Sequence, residues 1–503
     1  MINLRRVLAA VLVIGVNPHV NADNANLLQD WQQLRPEHGQ VSLILADPQG
    51  KRLIDSDSHK LLLPASTQKL LTAVAAATLL GDEFQFYTRL LYRGELKSGG
   101  LNGDLIIQFD GDPQLSAEQL GQLLQHLTDA GIKQINGDII IANNDLAPQW
   151  AAGWLWDDLG VCFAAPVGKL VLDQNCVKGS LTANADNSSR LYLRYPLTVS
   201  NSAQYQPETP AALCKLHLQY HRSNQYQLSG CYQQKNPLPL EVAIVDPAAY
   251  IQAQIKQRFP RHVDLRGSIK IAATDIKDTK ALLSFPSMPL RLLIIKMLTK
   301  SDNLIADALM KKLGEVKFGQ YGFEFGAEAI KQTLEGLGID LETANIVDGS
   351  GLSRYNQLTA AQLFQILLLI QQEPKLNWLI SALPVAGESG TLKHKRGYLN
   401  PQLRGGVMAK TGSMTGVDNL AGFLRIDEQQ PQLYPFVIME NGLSAAAYRP
   451  AKFSPPFLIF ARNALQQAQK HQVAKQPATS KSQSSPTAEA TNRSLNTPKA
   501  ADN

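Results

Sequence analysis

Ser66 and Lys69, in Leu63-Pro64-Ala65-Ser66-Thr67-Gln68-Lys69-Leu70-Leu71, form the one Ser-x-x-Lys of the chain and open a run rich in Ala and Leu. Three positions on a helix is close to one turn, so hydroxyl and amine emerge on the same face. A serine hydroxyl attacks poorly until a base takes its proton. A lysine serves as that base only when burial or nearby positive charge lowers its pKa. The chemistry on offer is acyl transfer through a serine ester. Alone the pair decides little: a serine at a helix start ordinarily caps it, and about two such matches arise by chance in a chain of this size.

Its company decides more. Ser301-Asp302-Asn303 and Lys410-Thr411-Gly412 each occur once, in the order shown by serine acyltransferases of the penicillin-recognising kind. Amide cleavage needs a nucleophile, a proton shuttle, oxyanion donors and a grip on substrate charge. Ser66 is the nucleophile and Lys69 the base, its pKa lowered by Lys410 and by partial burial. Ser301 bridges Lys69 to the leaving nitrogen, and Asn303 holds Lys69 and a substrate carbonyl. Asp302 reads as structural, since the tripeptide also has the form of a helix cap before Leu304 to Leu309. Lys410 and Thr411 read as a strand ending at Gly412, whose missing side chain lets substrate backbone lie alongside. A substrate then adds as an extra strand, its carboxylate meeting Thr411 and the Lys410 charge. The N–H groups of Ser66 and Ser413 are the oxyanion candidates.

These motifs lie far apart, so other elements must bring them together. A helical pattern runs from Asn24 to Leu34. Val41 to Ala46 and Arg52 to Asp55 read as strands around Asp47-Pro48-Gln49-Gly50, followed by the helix carrying Ser66. Late in the chain come a helix over Thr359 to Gln371, strands over Ala409 to Met414, Asn419 to Ile426 and Leu433 to Met439, and a helix over Pro456 to Gln469. Helices on an antiparallel sheet drawn from both chain ends give an α+β catalytic domain of two parts, 23–87 and 269–469, split by an insertion over 88–268. Within it, Asn102-Gly103-Asp104-Leu105-Ile106-Ile107 recurs as Asn136-Gly137-Asp138-Ile139-Ile140-Ile141 around an amphipathic helix from Ala117 to Ala130, a βαβ unit. Leu191 to Val245 alternates apolar and polar residues and reads as mostly β.

Arg5 and Arg6, the apolar run Val7 to Val16 and Val20-Asn21-Ala22 form an export signal over 1–22, with cleavage expected after Ala22. No stretch has the length of a membrane span. The formal charge of +5 comes from this signal and from a Lys-bearing low-complexity tail, 470–503, expected to be disordered; the body between them is neutral, which argues against a nucleic-acid surface. Four cysteines in an exported chain suggest two disulfides, with Cys162 to Cys176 and Cys214 to Cys231 the simplest of three connectivities. Zinc is the competing reading, but no close Cys-x-x-Cys exists, and His217 and His221 lie in a segment that reads as a strand. No metal or cofactor is called for. A phosphate-loop reading of Gly349-Ser350-Gly351-Leu352 lacks its third glycine; a tight loop beside the site suits it better.

Pro64-Ala65-Ser66-Thr67-Gln68-Lys69, Lys300-Ser301-Asp302-Asn303, Asp348-Gly349-Ser350-Gly351-Leu352-Ser353-Arg354 and Ala409-Lys410-Thr411-Gly412-Ser413 resemble the D-alanyl-D-alanine carboxypeptidase/endopeptidase family, the class C low-molecular-mass penicillin-binding proteins. The resemblance extends into the insertion through Trp154-Leu155-Trp156-Asp157-Asp158 and Cys162-Phe163. It implies the serine β-lactamase/DD-peptidase fold with an inserted α/β plus β module. It also implies a periplasmic enzyme that trims or uncrosslinks peptidoglycan stem peptides and is acylated by β-lactams. It further implies that Asp158, Phe163 and Arg354 approach the substrate side chain, with Asp158 near Lys410. The chain departs from the family pattern at Thr415, where relatives carry glutamine. A β-lactamase and a non-catalytic wall-binding scaffold are the alternatives; the long insertion suits a polymer substrate, and a binder has no need of the full trio. Oligomeric state stays open, a homodimer included.

Overall fold

The computed structural model describes residues 29–475 except 146, 148, 222, 235–236, 428–431 and 445–452. The signal over 1–22 and the tail beyond 475 lie outside the described residues.

The sheet that positions the site has five antiparallel strands in the order Val407–Met414, Val417–Arg425, Leu433–Asn441, Gln40–Ala46, Arg52–Ser56. Its middle strands are nearly continuous apolar runs because both faces are covered. Ile44, Ala46, Ala421, Phe423, Val437 and Met439 face a helical layer. Leu43, Leu45, Leu420, Leu424, Phe436 and Ile438 face a second core with Trp31, Phe453 and Phe457. The two-residue period of a strand divides each sequence between these cores. The two ends of the chain meet here, Gln40 opposite Asn441 and Leu45 opposite Phe436.

The helix Lys69–Leu80 runs through the helical layer, with residues 69 to 76 all buried. That is why its sequence is apolar on every side rather than amphipathic. Thr359 caps Ala360–Gln372 with a reciprocal Thr359–Gln362 capping box. The last helix spans Ser454–Lys475, so it passes residue 470, where the disordered tail was expected to begin. The described part of the Asn24 to Leu34 pattern is a 3-10 helix, Gln29–Leu34.

The inserted residues form a seven-stranded sheet and two smaller ones. The repeated segments stack in parallel, Leu105 opposite Ile139 and Ile107 opposite Ile141. Arg266-Gly267-Ser268-Ile269-Lys270-Ile271 adds a third copy of the same turn and strand, Ile269 opposite Ile139, with Ser268 N donating to Asp138 Oδ1; its Lys and Ser disguised it in the sequence. The strand Lys280–Pro286 closes this sheet against Tyr87–Lys97, so the sheet continues past residue 268, where the insertion was expected to end. Disulfides join Cys162 to Cys176 and Cys214 to Cys231, the simplest pairing. Among the described residues no helix is long and apolar enough to cross a membrane.

Candidate active site

Ser66 sits in a 3-10 turn, Ala65–Gln68, directly before the helix that Lys69 begins. Asn419 Nδ2 holds this turn from below, donating to the carbonyls of Leu63 and Pro64 at 2.8 and 2.9 Å. Lys69 Nζ lies 2.9 Å from Ser66 Oγ, 2.7 Å from Asn303 Oδ1 and 2.6 Å from the Ser350 carbonyl. The last two atoms only accept. A neutral Lys69 has two N–H bonds, and both are taken up there, which leaves its lone pair on the Ser66 hydroxyl. Complete burial lowers the Lys69 pKa to about 8, against the opposing pull of Asp307, Asp348 and Asp302. Burial, and not the Lys410 charge, is therefore the leading cause. The repulsion between the two lysines bears on Lys410, held well below its ordinary value by burial, then by Lys69 and Lys395.

Ser301-Asp302-Asn303 is the corner between two helices. Leu290–Lys300 ends at Ser301, whose φ of 59° is left-handed, and Asp302 caps Asn303–Phe318 by accepting from Ile305 N at 3.0 Å. The corner turns its two outer residues toward different lysines. Asn303 Oδ1 accepts from Lys69, while Ser301 Oγ accepts from Lys410 Nζ at 2.9 Å. Ser301 thus meets Lys410 rather than Lys69, its expected partner. Asn303 Nδ2 donates to the Phe163 carbonyl of the insertion at 2.8 Å, a contact the sequence did not suggest and one that fixes which way the amide points.

Val407–Met414 is the edge strand of its sheet. Ala409 N donates outward to the Pro384 carbonyl at 2.9 Å. By the two-residue period, the N–H groups of Thr411 and Ser413 share that direction and face the open edge. Gly412 has a different reason from the one expected. A Cβ there would stand 2.7 Å from the Pro64 oxygen and 3.0 Å from Thr67 N, so the glycine lets the strand cross the Ser66 turn. Thr411 Oγ1 pairs with Thr391 Oγ1 at 2.8 Å, and Lys395 Nζ and Ser413 Oγ both donate to Asp418 Oδ1, at 2.8 and 3.1 Å. Nothing in the sequence pointed to Thr391 or Lys395.

The Asp348 to Arg354 loop is wedged against the turn. Gly351 has φ 80°, and a Cβ on it would lie 1.9 Å from the Ala65 carbonyl oxygen. Two buried acids organise the wedge. Asp307 Oδ1 accepts from Gly349 N at 2.7 Å and Ser350 N at 2.9 Å. Asp348 accepts from Gly351 N, Ser353 N, Asn356 Nδ2 and Trp154 Nε1 at 2.6 to 2.8 Å. Burial and Asp348 hold the Asp307 pKa well above the carboxylate range. Asp307 follows Asn303 by four residues, one turn along the same helix face; that spacing was the available signal.

The insertion brings Asp158 and Phe163 toward this cleft. Phe163 is exposed and Asp158 half-buried. The positive charge acting on Asp158 is that of Arg354, opposing the upward push of burial and of the neighbouring Asp157. Arg354 Nη1 donates to the Thr415 carbonyl at 3.0 Å, so Arg354 is attached to the turn after the Lys410 strand through its backbone.

The chain matches the sequence profile of the D-Ala-D-Ala carboxypeptidase 3 (S13) family over residues 21–454. It is 35% identical over 449 residues to the D-alanyl-D-alanine carboxypeptidase DacB of Haemophilus influenzae, covering 87% of this chain and 92% of that one. It is 27% identical to a D-alanyl-D-alanine carboxypeptidase of Actinomadura sp., covering 79% and 77%. The crystal structure of penicillin binding protein 4 (dacB) from Haemophilus influenzae superposes with a TM-score of 0.78 at 33% identity, over 88% of this chain and 98% of that one. The same protein complexed with a β-lactam gives 0.74 at 32% identity. With the profile spanning most of its length, this chain belongs to the D-Ala-D-Ala carboxypeptidase 3 (S13) family.

Proposed function

We propose that this protein is an exported serine DD-peptidase that hydrolyses D-alanyl-D-alanine termini and D-alanyl cross-links of peptidoglycan stem peptides, and that β-lactams acylate it at Ser66. The observation that carries this is Lys69 Nζ, with two acceptor-only oxygens on one side and the Ser66 hydroxyl 2.9 Å away on the other. Such an amine is arranged to take the serine proton. Removal of residues 1–22 and release into the periplasm belong to the same reading.

Substrate lies along the edge of Val407–Met414, its carboxylate near the Thr411 and Thr391 hydroxyls in the field of Lys410. Asp158, Phe163 and Arg354 meet the side chain that precedes the D-alanines, Asp158 suiting an amino group. Lys69 takes the Ser66 proton as Oγ bonds to the penultimate D-alanine carbonyl carbon. The oxyanion meets the N–H groups of Ser66 and Ser413. As the C–N bond breaks, Ser301 gives its proton to the leaving nitrogen and recovers one from Lys410, 2.9 Å away. D-alanine, or the amine of a cross-link, departs. Water then attacks the ester, passing its proton through Ser301 to Lys410, while Lys69 returns its proton to Ser66. Each group ends as it began.

The test uses purified protein and Ser66→Ala with a pentapeptide and a fluorescent penicillin. Wild type is expected to release D-alanine and to carry the label on the Ser66 peptide, and the variant to do neither. Equal D-alanine release by the two would overturn the reading. We also propose that residues 87–286, which share one set of sheets, separate as a unit on limited proteolysis.

A further inference from the structure

Beside the 162–176 strap, whose Asp173, Gln174 and Cys176 line it, lies a groove of about 990 Å³ that the mechanism does not use. Four cations line it: Lys178 and Arg194 from the β-rich part of the insertion, Lys256 and Arg258 from the helix Pro247–Arg258. The one acid in its wall, Asp173, is already committed, accepting from Ala117 N at 2.9 Å and from the Tyr250 hydroxyl at 2.7 Å. Glu241 approaches only Lys178, at 3.7 Å and more than half exposed. Among the described residues no carboxylate pairs with Arg194 or Lys256. In a chain whose body is neutral, this concentration of positive charge around one concavity focuses an attractive field for anions.

The rest of the lining has a chemistry of its own. Tyr195, half-buried, stands edge to face with the buried Tyr250, centroids 4.9 Å apart, while the glutamine amides are spent within the protein, Gln254 and Gln257 accepting from Arg258 and Gln114 from Lys296. The Tyr195 ring suits the C–H face of a sugar, and the cations suit carboxylates. A glycopeptide carries both. The groove is also joined to the site. Gln174 lines it and donates to Asp302 Oδ2 at 2.9 Å. Cys176 lines it and is bonded to Cys162, next to the Phe163 whose carbonyl holds Asn303. Asp173, Gln174 and Asn175 all have positive φ, 51°, 59° and 48°, an uncommon run for residues with side chains, and it is this left-handed turn that aims Gln174 at the corner.

We infer that this groove is an exosite for a carboxylate-bearing glycopeptide strand of peptidoglycan, which holds the polymer while a neighbouring stem peptide enters the Ser66 cleft. The inference rests on the peptidoglycan reading for the identity of the ligand. It gives the insertion a binding task separate from the chemistry.

The test titrates the disaccharide-tripeptide of peptidoglycan, which has sugar, amides and carboxylates but no D-alanine to release, into wild type and Arg194→Glu/Lys256→Glu, each untreated and after penicillin treatment. The expected result is wild-type binding that survives the penicillin, weakens with salt and falls at least about tenfold in the double variant. Binding that is equal in the two proteins, absent, or displaced by penicillin overturns the exosite. Kinetics separate it from the function itself. The double variant is expected to hydrolyse intact sacculi several-fold more slowly and the free pentapeptide at the wild-type rate. A loss on both substrates would mark a structural fault and overturn the inference. Wild type inactive on the pentapeptide would overturn the peptidase reading and leave the titration to decide the groove.

Discussion

Gly351→Ala tests whether the loop wedge sets the geometry of the nucleophile. Two costs are separable. A left-handed backbone costs a residue with a Cβ about 1–2 kcal/mol. The second cost is steric: at 1.9 Å from the Ala65 oxygen the added carbon cannot stay, and reaching an ordinary contact needs a shift of roughly 1.5 Å between loop and turn. The loop carries the Ser350 carbonyl that holds Lys69 at 2.6 Å, and the turn carries Ser66, so the displacement falls on the reacting pair. A misplacement of about 1 Å in such a pair costs on the order of 100-fold in rate. Gly338→Ala is the control, because Gly338 has φ 84° and nothing within 4 Å of its added Cβ; it carries the backbone cost alone. The assay is the second-order rate of acylation by a fluorescent penicillin, with unfolding followed in parallel. Gly338→Ala is expected to lose about 1–2 kcal/mol of stability and acylate at the wild-type rate, and Gly351→Ala to stay folded at the assay temperature while acylating about 100-fold more slowly. A folded Gly351→Ala within about threefold of wild type would refute the wedge.

Acylation should rise with pH through about 8, because the base form of Lys69 gains population as its proton leaves; a flat profile from pH 6 to 9 would exclude Lys69 as the titrating base. Burial and Asp348 push Asp307 toward its neutral acid, so Asp307→Asn, which removes no charge and keeps an oxygen for Gly349 N and Ser350 N, should leave that limb in place. A limb moved to lower pH would mean that Asp307 is charged in the wild type and raises the Lys69 pKa. Cys162→Ser/Cys176→Ser removes the link between the two segments that hold Asn303 and Asp302. It is expected to slow acylation several-fold and to cost about 2–4 kcal/mol of stability; an unchanged acylation rate would detach the strap from the Ser301 corner.

The residues that touch the site were legible where chemistry demands a type at a spacing: Ser66 with Lys69, Ser301 with Asn303, Lys410 with Thr411. The strands around them were legible from apolar runs bounded by turns, to within a residue or two. What escaped was set by tertiary contact. The sequence reads Gly412 as room for substrate and Gly351 as part of a tight loop, but each is required by the approach of a backbone segment distant along the chain. Ser301 meets Lys410 and not Lys69, because order along the chain says nothing of which lysine a helix corner faces. Asp307, Thr391, Lys395 and Gln174 carry no motif, and their meaning arises only from the groups opposite them. Lys69 itself owes its lowered pKa first to the helices packed around it, a burial that the Ala-rich sequence implied without showing how complete it is.

The union of the two chain ends in one sheet has a consequence in time. Leu63, three residues before the nucleophile, donates to Asn441 at 2.9 Å, and Asn419 secures the Ser66 turn. A chain made from its N-terminus therefore presents Ser66 early but cannot lock it until almost 380 further residues have followed. Every fragment that ends before Asn419 lacks both strands that hold the turn, and one that ends before Asn441 lacks the second. Synthesis order thus acts as a safety catch: the Ser66 turn takes its final form only after the strands carrying Asn419 and Asn441 have been made.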